Sequence, residues 1–153
     1  MYEDRVEKAV SLFKKGYNCS QSIVAAFADL YGFTEEQALK MAASFGGGIG
    51  RMRQTCGAAC GMFLLVGLDC GETVAENSKG KGHNYKVVQT LAERFKEENG
   101  SLVCAELLGL SSNVDSSPNP EERTDKYYKK RPCVMMVETA ARIFADYLAN
   151  RNV

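Results

Sequence analysis

The chain has 153 residues, 45% hydrophobic and 25% charged, and its 19 acidic and 19 basic side chains cancel. A chain of that length can bury a core without covalent staples and suits one domain, spanning residues 1–153. The neutral balance leaves no electrostatic footprint for nucleic acid and no polybasic membrane anchor, and no apolar run approaches the ~20 residues of a membrane span.

Residues 2–15 place Val6, Ala9, Val10 and Phe13 at helical spacing, and Gly16 ends that helix. Asn18, with Gln21 three residues on, forms a capping-box pair for a second helix carrying Ile23, Val24, Ala26, Phe27 and Leu30. Thr34 restarts the chain in the same way for a third helix, which ends near Phe45. Then come Gly46, Gly47, Gly48 and Gly50, a loop that needs positive φ or close backbone approach. After it, Thr55 reads as the cap and Cys56 as the first residue of a helix running to about Leu68, with Cys60 one turn later. Small residues at Gly57, Ala58, Ala59 and Gly61 let another segment approach that helix closely.

Asp69 to Gly82 reads mostly as connection, and His83 to Glu98 as an amphipathic helix with Tyr85, Val88, Leu91, Ala92 and Phe95 on its stripe. Ser101 caps a short helix to Leu108, and Ser111 to Glu122 reads as loop. Tyr127, Tyr128, Lys129, Lys130 and Arg131 read as a solvated aromatic-basic face. Pro132 suits the first turn of a last helix to about Ala149, with Met135 and Met136 expected in the core. No segment alternates apolar and polar residues. The expected fold is an all-α, single-domain bundle of six or seven helices, with the glycine loop leading into the Cys56 helix.

The opening Met1-Tyr2-Glu3-Asp4-Arg5 is mixed in charge, unlike a secretory leader, so a cytoplasmic setting is expected. In a reducing compartment, six cysteines point to metal binding or redox chemistry more than to structural disulfides. Cys19, Cys56, Cys104 and Cys133 each fall in the first turn of an expected helix, where unsatisfied N–H groups favour a thiolate and lower its pKa. Four such residues from four helices can meet at one end of a bundle, as ligands of a metal or iron–sulfur cluster or as two dithiol pairs. As dithiols, Cys56 is the preferred attacking thiol. No Cys-x-x-Cys is present, which argues against a zinc ribbon, and no Cys-x-x-Cys-His, which argues against haem c.

Asn18-Cys19-Ser20-Gln21, the Phe45 to Gly50 run, Cys56-Gly57-Ala58-x-x-Gly61, Gly100-Ser101-x-x-Cys104 and Cys133 together resemble the C-GCAxxG-C-C family, described as redox-active proteins of about this length. The resemblance covers nearly the whole chain. It implies that Cys19, Cys56, Cys104 and Cys133 are the family's four cysteines and that Cys60 and Cys70 are accessory. A related domain in a sulfate-reducer cytochrome has an iron–sulfur site, so the resemblance also implies iron–sulfur chemistry. The partner expected is another redox protein, of unknown identity, and the oligomeric state is open.

Two alternatives come from other classes. One is a structural zinc site or a helical interaction module without turnover. The other is a small-anion site in which Gly46, Gly47, Gly48 and Gly50, with Arg51 and Arg53, cradle the ligand at the Cys56 helix start. That loop lacks the Gly-Lys-Ser/Thr of a P-loop, and packing of loop against helix is the favoured reading. His83, the single histidine, suits an exposed or capping position better than a catalytic one.

Overall fold

Polar caps set the frame of the N-terminal half. In the computed structural model, which describes residues 1–109 and 117–151, Asn18 accepts the Gln21 N–H at 2.8 Å while the Gln21 side chain accepts the Asn18 N–H at 3.1 Å. Thr34 and Gln37 repeat the arrangement. These boxes start α2 (Cys19–Phe27) and α3 (Glu35–Ala42), preceded by α1 (Glu3–Lys14). The chain continues through α4 (Gly57–Cys70), α5 (Ser78–Asn99), α6 (Cys104–Leu107), α7 (Asp125–Lys130) and α8 (Cys133–Asn150). Two short 3-10 turns, Ala28–Tyr31 and Ala43–Phe45, extend α2 and α3. The protein is all-α, and no named strand occurs among the described residues.

α4 is apolar on every side, which is the pattern of a central helix. It packs against α2, α5 and α8, while α1 lies on α2 and α8. Its small residues admit α2 closely. A Cβ at Gly61 would sit 2.9 Å from Ile23 Cβ and 3.0 Å from the Ser20 carbonyl. Phe27 of α2 meets Phe144 of α8 edge to face, with centroids 5.1 Å apart. Both are fully buried, and burying such a ring contributes about 1.5–3 kcal/mol.

The far end of α4 is held by a buried carboxylate. Asp69 accepts hydrogen bonds from Tyr31 Oη at 2.9 Å and Tyr147 Oη at 2.7 Å, and pairs with Arg151. One side chain thus ties α4 to α8 and to the turn after α2.

Several expected boundaries differ. α5 starts at Ser78 because Asn77 accepts the Gly80 N–H, which makes Gly80 and Gly82 part of the helix rather than a linker. α4 runs through Asp69 to Cys70. There are eight α-helices among the described residues, α7 being the addition: Thr124 caps it by accepting the Tyr127 N–H. Met136 is buried as expected, but Met135 points to solvent at 62% exposure. Part of the expected Ser111 to Glu122 loop, residues 111–116, lies outside the described residues.

Candidate functional site

The glycine loop is a left-handed turn. Gly47, Gly48, Ile49, Gly50 and Arg51 have φ of 67, 71, 66, 58 and 63°, and Arg53 follows at 62°. For Ile49, Arg51 and Arg53 that region costs roughly 1–2 kcal/mol each. The turn closes on itself: Ile49 N–H bonds the Phe45 carbonyl, Gly50 N–H that of Ser44, Arg51 N–H that of Gly46, and Gln54 N–H that of Gly48. Those N–H groups are therefore occupied within the loop and are not presented to an anion. The glycines serve close packing instead. A Cβ on Gly46 would enter the Asn18 side chain at 2.5 Å, and one on Gly57 would lie 2.8 Å from the Phe45 carbonyl and 3.2 Å from Cys19 Sγ. A Cβ on Gly48 would lie 2.6 Å from Cys104 Cβ.

A short antiparallel bridge carries the loop into the site. Thr55 pairs with Val103, the Cys56 N–H donates to the Leu102 carbonyl at 2.7 Å, and the Cys104 N–H donates to the Gln54 carbonyl at 2.6 Å. Thr55 is occupied in this bridge, so Cys56 itself takes the N-cap position of α4. Cys19, Cys104 and Cys133 are the first residues of α2, α6 and α8. All four line one cavity of about 410 Å³. Its other walls include Phe13, Leu107, Leu108 and Met136 and four arginines: Arg51, Arg53, Arg123 and Arg131.

The arginines are fixed by the chain. Arg53 is buried, and its Nη1 lies 3.9 Å from Cys104 Sγ. Arg51 donates to the carbonyls of Ser117 and Asn119. Arg123 donates to the carbonyls of Phe13 at 2.9 Å and Tyr17 at 3.0 Å, and stacks over the Phe13 ring at 4.3 Å. Arg131 pairs with Glu121, the one acid among the described residues of the wall, and its guanidinium lies 5.1 Å from the centre of the Tyr127 ring. The segment expected to be a solvated face is thus part of the site: Tyr127 is buried, and α7 closes one side of the cavity.

The expected lowering of the thiol pKa values is overturned for Cys19, Cys56 and Cys133. Burial raises those of Cys19 and Cys56 and lifts Cys133 to about 12. Negative charge on Cys19 raises Cys56 and Cys133 further. Amide N–H groups work against this, from Gly47 toward Cys19 and from Ala58 and Ala59 toward Cys56, but they are the smaller effect. A helix start stabilises a thiolate when water shares the load; in an apolar cavity desolvation wins.

Cys60 is buried one turn into α4, raised by burial to about 11, and is not part of the cavity wall. Cys70 closes the opposite end of α4 beside Asn84. His83 is exposed on α5, away from the cavity. Among the described residues, no three Cys, His, Asp or Glu side chains are gathered closely enough to hold a single metal ion. Arg123, Tyr127 and Arg131 were not expected in the site. Thr124 followed by Asp125 marks the helix start that carries Tyr127.

The raised values set a pH dependence for the reduced protein. In the unfolded chain the thiols ionise near 9.0 and the tyrosines near 10.0, whereas the folded protein holds Cys60 to about 11 and Cys133, Tyr31 and Tyr127 to about 12. A raised folded-state pKa gives stability that is complete below the unfolded value and lost as pH rises through the folded one. The urea midpoint of reduced protein should therefore be level up to about pH 8.5 and fall steeply by pH 10.5. A midpoint unchanged over that span would contradict the burial of these groups.

The profile of the C-GCAxxG-C-C family, described as "putative redox-active protein", matches residues 17–147. Searches of curated proteins and of solved structures give no significant match. The chain belongs to the C-GCAxxG-C-C family.

Proposed function

We propose that this protein is an electron carrier whose redox unit is the four-cysteine cavity, with Cys19, Cys56, Cys104 and Cys133 as ligands of an iron–sulfur cluster. The observation that carries this reading is that four thiols from four separate elements line one cavity whose other walls are apolar side chains and guanidinium groups. The donor set is four thiols, the commonest ligand set of such clusters. The volume of about 410 Å³ suits a group of several atoms. When bound, the cluster would supply one-electron transfer. The chain's own contributions are separate. Loop and helix starts orient the four sulfurs, and the amides of Gly47, Ala58 and Ala59 donate toward them. Phe13, Leu107 and Met136 keep water out, and the arginines offset negative charge.

Burial that holds Cys19, Cys56 and Cys133 protonated weighs against them as free attacking thiols. A thiol held protonated is a slow nucleophile, whereas a metal displaces the proton outright. A second reading, dithiol to disulfide exchange, is favoured by one contact: Arg53 Nη1 donates toward Cys104 Sγ at 3.9 Å, which singles out Cys104 rather than Cys56 among the four sulfurs. In that chemistry two thiols pass two protons and two electrons to a partner's disulfide, which becomes a dithiol as the disulfide forms here.

Protein purified without oxygen distinguishes these readings by absorbance with iron, sulfide and zinc analysis. Visible bands with stoichiometric iron and sulfide are expected. Metal-free protein with a reversible disulfide among the four cysteines would move the function to the second reading. Stoichiometric zinc, or four inert thiols, would contradict both.

A further inference from the structure

Among the described residues of its wall the cavity has one acid, Glu121, which pairs with Arg131. Arg51 and Arg123 donate only to backbone carbonyls, and neither is paired with an acid among the described residues. A guanidinium has five N–H donors. Arg51 uses Nη1 alone, which leaves its Nε and Nη2 without protein acceptors among the described residues. Glu121 is already bonded to Arg131. These cations share the cavity with Phe13, Leu107, Leu108 and Met136, and with the four thiols. A guanidinium at an apolar wall beside reactive sulfur matches a ligand with an anionic head and an apolar body.

We propose that the cavity admits a small organic anion, a carboxylate on an apolar body, and that Arg51 and Arg123 draw it to the thiols. The inference rests on the cavity being the redox site, and it names the class of molecule that reaches it. It concerns the reduced, metal-free form of the site, in which the four sulfurs are thiols and the cavity is open; with a cluster bound those sulfurs are ligands.

The test compares two alkylating reagents of nearly the same size on the reduced, metal-free full chain: iodoacetate, which is anionic, and iodoacetamide, which is neutral. The same thiolate attacks either reagent and displaces iodide, so the protonation of the thiol cancels in the ratio of their rates. A site lined by these guanidinium groups should raise the iodoacetate-to-iodoacetamide ratio about tenfold over that of a free thiol such as glutathione. Arg51→Gln and Arg123→Gln should each bring the ratio back toward the free-thiol value, and Arg51→Lys and Arg123→Lys should keep most of the preference. Glu121→Gln should act in the opposite direction and raise the ratio, since it removes the wall's acid. Circular dichroism checks that each variant is folded; if Arg123→Gln is not, the Arg51 and Glu121 variants carry the test alone. A wild-type ratio equal to that of glutathione, a ratio indifferent to Arg51 and Glu121, or no reaction with either reagent would overturn the proposal. Loss of the redox reading would show separately, as absence of both metal and reversible disulfide in protein that still discriminates by charge.

Discussion

Gly48→Ala is expected to cost about 2–5 kcal/mol and to lower the melting temperature by roughly 6–15 °C. Two effects add. The residue sits at φ 71°, where an alanine is strained by about 1–2 kcal/mol. Its new methyl would also lie 2.6 Å from Cys104 Cβ, 2.7 Å from the Gln54 N and 2.8 Å from Arg53 Cα. Two of those three are backbone atoms in the bridge that delivers Cys104 and Cys56 to the cavity, so the clash cannot be relieved by turning a side chain. The same change at Gly82, which is helical on α5 with nothing within 4 Å of its Cβ position, should be neutral or stabilising by up to about 1 kcal/mol. Thermal melts of both variants check this. A Gly48→Ala protein that melts with the wild type would mean the loop does not pack on Cys104 as described.

The second large effect is expected far from the cavity. Asp69→Ala should destabilise by about 3–5 kcal/mol, measured by urea unfolding. The aspartate side chain is 6% exposed and receives Tyr31, Tyr147 and Arg151. Removing it strands two partly buried hydroxyls and an arginine at once, whereas Tyr31→Phe and Tyr147→Phe each remove one donor and should cost about 1–2 kcal/mol. Because this network ties the C-terminal end of α4 to α8, the thiols at the other end should keep their reactivity in the tyrosine variants. A loss below about 1 kcal/mol for Asp69→Ala would show that the three contacts do not act together.

The parts of this structure that were legible in the sequence were those set by local chemistry. Asn18 with Gln21 and Thr34 with Gln37 announce their helices because the capping interaction is contained within four residues. The small residues of α4 signal a close neighbour, and α2 is that neighbour. The four helix-start cysteines stand out for the same local reason, and the fold brings them to one cavity. What was not legible depended on contacts between distant segments. Thr55 looks like a cap, yet its place is fixed by Val103, nearly fifty residues on. Tyr127 and Arg131 look like a polar surface, since nothing beside them in sequence shows that Phe13 and Cys133 surround them. The direction of the thiol shifts failed for the same reason: the helix start is local and visible, while desolvation comes from walls supplied by the rest of the chain.

That view of the cavity makes four residues a unit and leaves two outside it. The most direct measurement is a set of six single Cys→Ser variants purified without oxygen, each assayed for the visible absorbance and the iron and sulfide content of the wild type. Serine at Cys19, Cys56, Cys104 or Cys133 should each remove most of the same signal, while Cys60→Ser and Cys70→Ser should retain it. A signal that survives at any two of the four, or that fails with Cys70→Ser, would contradict a single four-cysteine redox centre.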